Sequence, residues 1–345
     1  MTLFKEEVNV LDYLSSEIAS LPASLEESTL QYDHNGLILV LREKEILKVC
    51  GATPEQNEQL NNYDREFGPV VSNLVKERDI EAAFERYLSI EKKIEQEMNG
   101  NLYIYARQMA LSVKSLYYYK KKQFDMATAF TIECVALNEY LVRQGLHTLI
   151  FRCLEQNKNI SRIRYRSGDD EGGNAFLLRL FEYMFNGTDQ DLYGVIFKDP
   201  AFYDRQVYIR EAYTYETVRM IVEDMIRISA KQLYPTENSP FPWFLQLEFE
   251  VNTLDRQIIY NWMYVNRQLW ENNYTHYFES LIEFLKEPVS QLYDVLKLHL
   301  MMGAARVVRE SEYKGKDKIL DEIKTYIQTK LTGYQTLRAR IIDNI

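Results

Sequence analysis

Apolar positions recur every third or fourth residue along nearly the whole chain, which is the period of a helix with one buried face. Between residues 102 and 120, Leu102, Tyr105, Ala106, Met109, Val113, Leu116 and Tyr117 fall on one side. Phe124, Ala127, Phe130, Cys134, Leu137 and Leu141 repeat the pattern over 124–141. The same spacing predicts helices near 3–20, 55–67, 79–98, 146–165, 174–186, 201–233, 251–272, 275–286, 289–310 and 316–343. Between Gly36 and Gly51, Leu37–Leu41 reads as a buried strand or a helix. The length of the segment and the Arg42-Glu-Lys-Glu-Ile-Leu-Lys that follows favour the helix. Start signals are Thr53-Pro54-Glu55-Gln56 (an N-cap, a first-turn proline and the Gln of a capping box), Ser24 with Glu27, and Asp199-Pro200. Stops are expected at Gly51, Gly100, Gly145 and Gly187, since glycine takes the left-handed turn without a Cβ clash. Gly68-Pro69 is awkward to cross as a helix. The glycine-rich acidic stretch Ser167–Gly173 and the proline-rich Tyr234–Trp243 are expected to be sub-domain joints.

Composition narrows the fold to the all-α class. Only 13 glycines and 8 prolines punctuate 345 residues, too few for most all-β folds, and 46% hydrophobic against 27% charged residues describes a globular chain. The net charge of −10 repels phosphate backbones, so nucleic acid is not an expected partner. The first eight residues contain two acids and no long apolar run, unlike a secretory leader. The longest apolar run, Leu37–Leu41, is far too short for a bilayer, so no membrane partner is expected. Three cysteines cannot all pair, and Cys134 and Cys153 fall inside apolar helical patterns as small buried hydrophobes. The expected location is a reducing cytoplasm.

A series of helical hairpins invites a search for repeats. Over Leu111–Cys134 the chain resembles a tetratricopeptide-repeat (TPR) unit. Leu111, Ser115 and Tyr118 fit its first helix; Phe124 opens the second; Ala127 and Cys134 fit the small positions where the helices touch. Ile80, Ala83, Tyr87 and Ile90 echo the second helix upstream, although Ala83 and Ala127 are 44 residues apart and the family repeat is about 34. The resemblance extends over about 69–166. It implies stacked helical hairpins whose inner face binds a peptide or protein segment, with Ser112, Leu116 and Tyr119 on that face. None of the three is the Lys or Asn of a carboxylate clamp, so capture of a chaperone tail is not expected.

Motifs for chemistry are sparse. His34, His147, His276 and His299 have no second His or Cys at ligand spacing, so no metal site is expected. Asp169-Asp170-Glu171 lacks the alternation and closing Glu of an EF-hand. No nucleophile elbow or phosphate loop is present, and no catalytic residue or cofactor is assigned. Arg152, Lys158, Arg162, Arg164 and Arg166 crowd one helix and its end. They read either as an anion or acidic-peptide site beside Tyr165, or as charge that complements the helix dipole and pairs with Asp169, Asp170 and Glu171. Lys120-Lys121-Lys122 reads as a solvated corner. The 26 tyrosines, with Tyr117-Tyr118-Tyr119 wrapping one helix and Tyr203, Tyr208, Tyr213 and Tyr215 further on, serve either a binding groove or interhelical packing.

The expectation is an all-α array of antiparallel hairpins: an N-terminal helical segment 1–66, TPR-like hairpins 69–166 and a C-terminal helical region 174–345. Its expected work is non-enzymatic binding of a peptide or protein through Ser112, Tyr119, Arg162, Tyr165 and Arg166. One alternative is a helical enzyme or small-ligand receptor with an Arg-lined pocket. A further one is a peptide-sensing regulator, disfavoured because 1–66 is acidic and shows no basic recognition helix.

Overall fold

The periodicity is realised as fifteen α-helices and no strand among the described residues of this computed structural model, which are 3–25, 34–187, 191–205, 207–229 and 244–345. In chain order the helices are α1 (Leu3–Ile18), α2 (His34–Val49), α3 (Pro54–Val75), α4 (Ile80–Glu97), α5 (Gly100–Lys120), α6 (Phe124–Arg143), α7 (Ile150–Ser167) and α8 (Asp170–Asn186). There follow α9 (Pro200–Arg205), α10 (Val207–Ser229), α11 (Leu254–Trp270), α12 (Tyr274–Lys286), α13 (Asp294–Glu310), α14 (Lys316–Thr329) and α15 (Gln335–Ile342). The Gly36–Gly51 segment is thus helical, and Tyr234–Trp243 lies outside the described residues. The chain divides into two compact units, Asp33–Arg210 and Met1–Tyr32 with Glu211–Ile345.

In the unit Asp33–Arg210, α3 packs on α4, α5 on α6 and α7 on α8, while α3–α5, α4–α5 and α6–α7 contacts join the hairpins. Thr53 caps α3 reciprocally with Gln56, as its capping box predicts. Against expectation, α3 runs straight through Gly68-Pro69 to Val75. Phe67, Val70 and Leu74 are 3%, 1% and 0% exposed, so the buried face continues across the break. The carbonyl of Arg65 that Pro69 leaves without an amide partner lies on the exposed side of α3. The α5–α6 crossing is close because its contact residues are small. Ser115 Oγ donates to the Ala127 carbonyl at 2.9 Å and lies 2.7 Å from Thr131 Oγ1, and Cys134 Sγ is 3.2 Å from the Gln108 carbonyl. Ser167–Gly173 holds a tight turn: Gly168, at φ 88°, and Asp169 separate the helices, and Asp169 caps α8 through the Gly172 amide at 2.9 Å. A Cβ at Gly173 would lie 2.9 Å from the Tyr165 ring, so its glycine serves close packing.

The other unit is organised around α13, a helix buried on almost every side from Asp294 to Ala305. Gly303 lets Leu269 and the Tyr277 hydroxyl close on the helix, and that hydroxyl donates to the Leu300 carbonyl at 2.8 Å. Helix α1 packs on α12 and α14. Ser24 is not the helix cap its sequence suggests. No helix begins there; its side chain is buried and donates to Asp294, and Lys297 Nζ donates to Ser24 Oγ at 3.3 Å. The partner position Glu27 lies outside the described residues. The helix expected over 316–343 is broken after Thr329. Here Lys330 O accepts from Ser24 N at 3.0 Å, Gly333 N donates to Asp294 Oδ2 at 2.8 Å, and a Cβ at Gly333 would lie 2.9 Å from Gln291 O.

Candidate functional site

Helix α5 packs against α3, α4 and α6. Ser115 points to α6, and Tyr117 to Glu81 and Phe84 of α4. The remaining face carries Asn101, Tyr105, Ser112, Leu116 and Tyr119, which fall within about 60° of one another at about 100° per residue. Gln156 of α7 donates to Ser112 Oγ at 3.4 Å, and α3 flanks α5 as well. Helix α6 packs on both α5 and α7, and the Gln156–Ser112 hydrogen bond links α7 to this face of α5. Tyr105 is 5% exposed, whereas Ser112, Leu116 and Tyr119 further along are only half-buried.

The end of helix α2 meets the first turn of α5. Asn101 Nδ2 donates to the Val49 carbonyl at 3.2 Å. Glu45 Oε2 accepts from the Thr148 amide at 2.9 Å and its hydroxyl at 2.6 Å. Burial raises the Tyr105 hydroxyl above its ordinary range, while Arg42 of α2 and Arg152 of α7 act in the opposite direction. Arg152 keeps 39% of its side chain in water yet lies within electrostatic reach of the buried Tyr105 and Cys134. Glu155, 2.8 Å away, holds its guanidinium above the ordinary value.

The five residues singled out from sequence separate into three groups. Ser112 and Tyr119 share the α5 face. Arg162 and Arg166 are exposed on α7, turned about 80–120° from Gln156 toward solvent. Tyr165 turns to α8, where its hydroxyl donates to Asn174 Oδ1 at 2.6 Å. Arg164 also serves the α7–α8 turn, stacking 5.4 Å over Phe176 and lying 3.9 Å from Asp169. Residues not picked out from sequence complete the surface: Gln156, Asn159 and the Glu45–Thr148 pair. Only polar residues at buried positions of α7, Gln156 and Asn157, hinted at them.

Most aromatics are used in packing. Phe84 stacks on Tyr117 at 3.7 Å between centroids, and Tyr118 on Phe130 at 5.3 Å, with Lys114 Nζ 5.0 Å above Phe130. Tyr119 alone of its triplet remains on the α5 face, edge-on to Phe124 at 6.3 Å. Tyr213 and Tyr215 are buried; the Tyr208 side chain lies outside the described residues. Lys120 is no solvated corner: 16% of its side chain is exposed, and it binds the Val75 carbonyl and Glu77 at 3.2 and 3.1 Å. Cys134 and Cys153 are fully buried, and burial pushes the Cys134 thiol up to about 12, so neither is a nucleophile. Among the described residues no group of three His, Cys, Asp or Glu could hold a metal ion, and no helix is long and apolar enough to cross a membrane. No protein-family model, curated protein or solved structure matches the chain.

Proposed function

We propose that this chain is a non-enzymatic, cytoplasmic binding protein of TPR-like design. Its site is the α5 face, and its partner is a peptide or protein segment laid along Ser112, Leu116 and Tyr119. The observation that carries this reading is the change in burial along one helix face. Successive turns of α5 present half-exposed Ser, Leu and Tyr side chains on one face, and Gln156 of α7 is hydrogen-bonded to the first of them. Tyrosine suits such a face, since it gives large contact area, has few rotatable bonds and keeps a polar tip. Arg152 at the rim, and Arg162 and Arg166 beyond it, favour a segment carrying acidic side chains.

Panning a displayed peptide library on the full chain tests the reading. Peptides converging on one pattern are expected, and Tyr119→Ala or Leu116→Asp should weaken their binding at least ten-fold with the melting temperature unchanged. Weakening by Arg162→Ala is expected to be smaller and lost at high salt. Unchanged affinity in Tyr119→Ala and Leu116→Asp overturns the assignment.

A further inference from the structure

Arg42 is a guanidinium without a counter-ion. Its Nε is buried with no hydrogen-bond partner, and among the described residues no carboxylate pairs with it. A charge drawn out of water is costly unless an opposite charge meets it. The side chain is not simply turned to solvent. Arg42, Glu45 and Ile46 fall within about 100° of one another on α2. Ile46 is 2% exposed, and Glu45, the acid on that face, is taken by the Thr148 amide and hydroxyl. Arg42 therefore belongs to the packed side of its helix and is itself half-buried.

Two anchors show what lies near that side. Asn101 of α5 donates to the Val49 carbonyl, and Thr148 immediately precedes α7. Four residues on from these anchors stand Tyr105 of α5 and Arg152 of α7. Arg42 and Arg152 both act on the buried Tyr105 hydroxyl, against the exposed Asp64 of α3. Arg152 gives Nη1 to Glu155 at 2.8 Å. Two guanidiniums from separate helices thus attend one hydroxyl, and only one of them has a carboxylate.

We propose that Arg42, Arg152 and the Tyr105 hydroxyl form a binding site for an oxyanion, a phosphate or carboxylate group that supplies the counter-charge Arg42 lacks. Guanidinium nitrogens present donors in one plane that match the oxygens of such a group, and the phenol O–H adds a third direction. The anion would bridge α2, α5 and α7, so its binding and the docking of α2 reinforce each other. The site goes beyond the peptide-binding reading: Tyr105 precedes Ser112 by seven residues, about 10 Å along α5.

The test labels the arginine side chains of the full chain with nitrogen-15 and replaces chloride by inorganic phosphate at constant ionic strength. The Nε–Hε signal of Arg42, assigned by its loss in Arg42→Gln, should shift saturably. Arg152→Gln should raise the half-saturating phosphate concentration at least ten-fold, and Tyr105→Phe should raise it less. Phosphate should raise the melting temperature of the wild-type chain and leave that of Arg42→Gln unchanged. N-acetylglutamate amide is the second probe: if it binds more tightly than phosphate, the group is a peptide carboxylate, and if less tightly, a free phosphate. An Arg42 signal unmoved by both probes, a shift that never saturates, or equal affinity in Arg152→Gln overturns the proposal. The wild-type titration decides even where a variant fails to fold. Phosphate bound with no peptide selected from the library keeps this site and removes the peptide reading; selected peptides with no anion response do the reverse.

Discussion

In the unit Asp33–Arg210 each helix packs on its neighbours in the chain, whereas the other unit joins residues as far apart as Ser24 and Asp294, 270 positions. The first leaves α5 with one face half-open and fills its interhelical spaces with aromatics and small residues. The second surrounds α13 on nearly all sides and seals a Ser–Asp–Lys cluster against its first turn. Stacking of local hairpins leaves side faces of its helices half-open; wrapping a central helix consumes every face. A binding surface is therefore expected in the first unit, and long-range polar locks in the second.

The largest expected effect breaks such a lock. Asp294→Ala leaves Lys297, 0% exposed, without its carboxylate, and should cost about 3–5 kcal/mol in denaturant unfolding. Replacing both, Asp294→Leu with Lys297→Met, should recover most of that. A single variant that costs less than about 1 kcal/mol would show that the cluster does not hold the N-terminal segment.

Next in size is a pH effect. Burial lowers the His299 imidazole to about 4, so the folded chain keeps it neutral while the unfolded chain, near 6.5, takes up a proton. Stability should therefore fall as pH drops from about 6.5 to about 4, by about 1.4 kcal/mol per unit, and then cease to fall on this account. His299→Gln should flatten that slope, and a slope unchanged by the substitution would assign it to other groups.

Two substitutions probe the hairpin unit. Ala127→Leu forces a large side chain into the α5–α6 crossing, where Ala127 is 0% exposed, and should cost about 1–3 kcal/mol. Hydrogen exchange should place the loss in α5 and α6 and leave α13 protected. Smallest is a gain: Pro69→Ala restores an amide inside α3 and should stabilise by about 1–2 kcal/mol. A loss of stability there would mean that the proline bend is needed for α3 to follow its neighbours.

The contrast between the units also sorts what could be read from sequence. Features set within a few residues were legible: the Thr53–Gln56 capping box, the glycine stops at Gly51, Gly145 and Gly187 (Gly100 instead opens α5) and the small side chains of the α5–α6 crossing. Helix at Gly36–Gly51 was decided by length. Pro69 misled because local propensity opposes a helix that tertiary burial of Phe67, Val70 and Leu74 sustains. Ser24 misled because its partners are Asp294 and Lys297, which no local pattern connects to it. At the site, Ser112, Leu116 and Tyr119 were grouped by the TPR resemblance, whereas the Glu45–Thr148 contact joins residues 103 positions apart, which no local pattern connects. The arginine run was ambiguous because the period assigns a residue to a face but not the neighbour that face meets. Arg164 and Tyr165 turned to α8, and Arg162 and Arg166 to solvent.

The most direct measurement places a photoreactive phenylalanine analogue at position 119 of the full chain, or at the exposed Tyr140 of α6, and irradiates each with a peptide selected from the library. Cross-linking at 119, suppressed by excess unlabelled peptide and absent at 140, is the expected result. Adducts at 140, or at neither position while the peptide is bound, would contradict the α5 face as the binding surface.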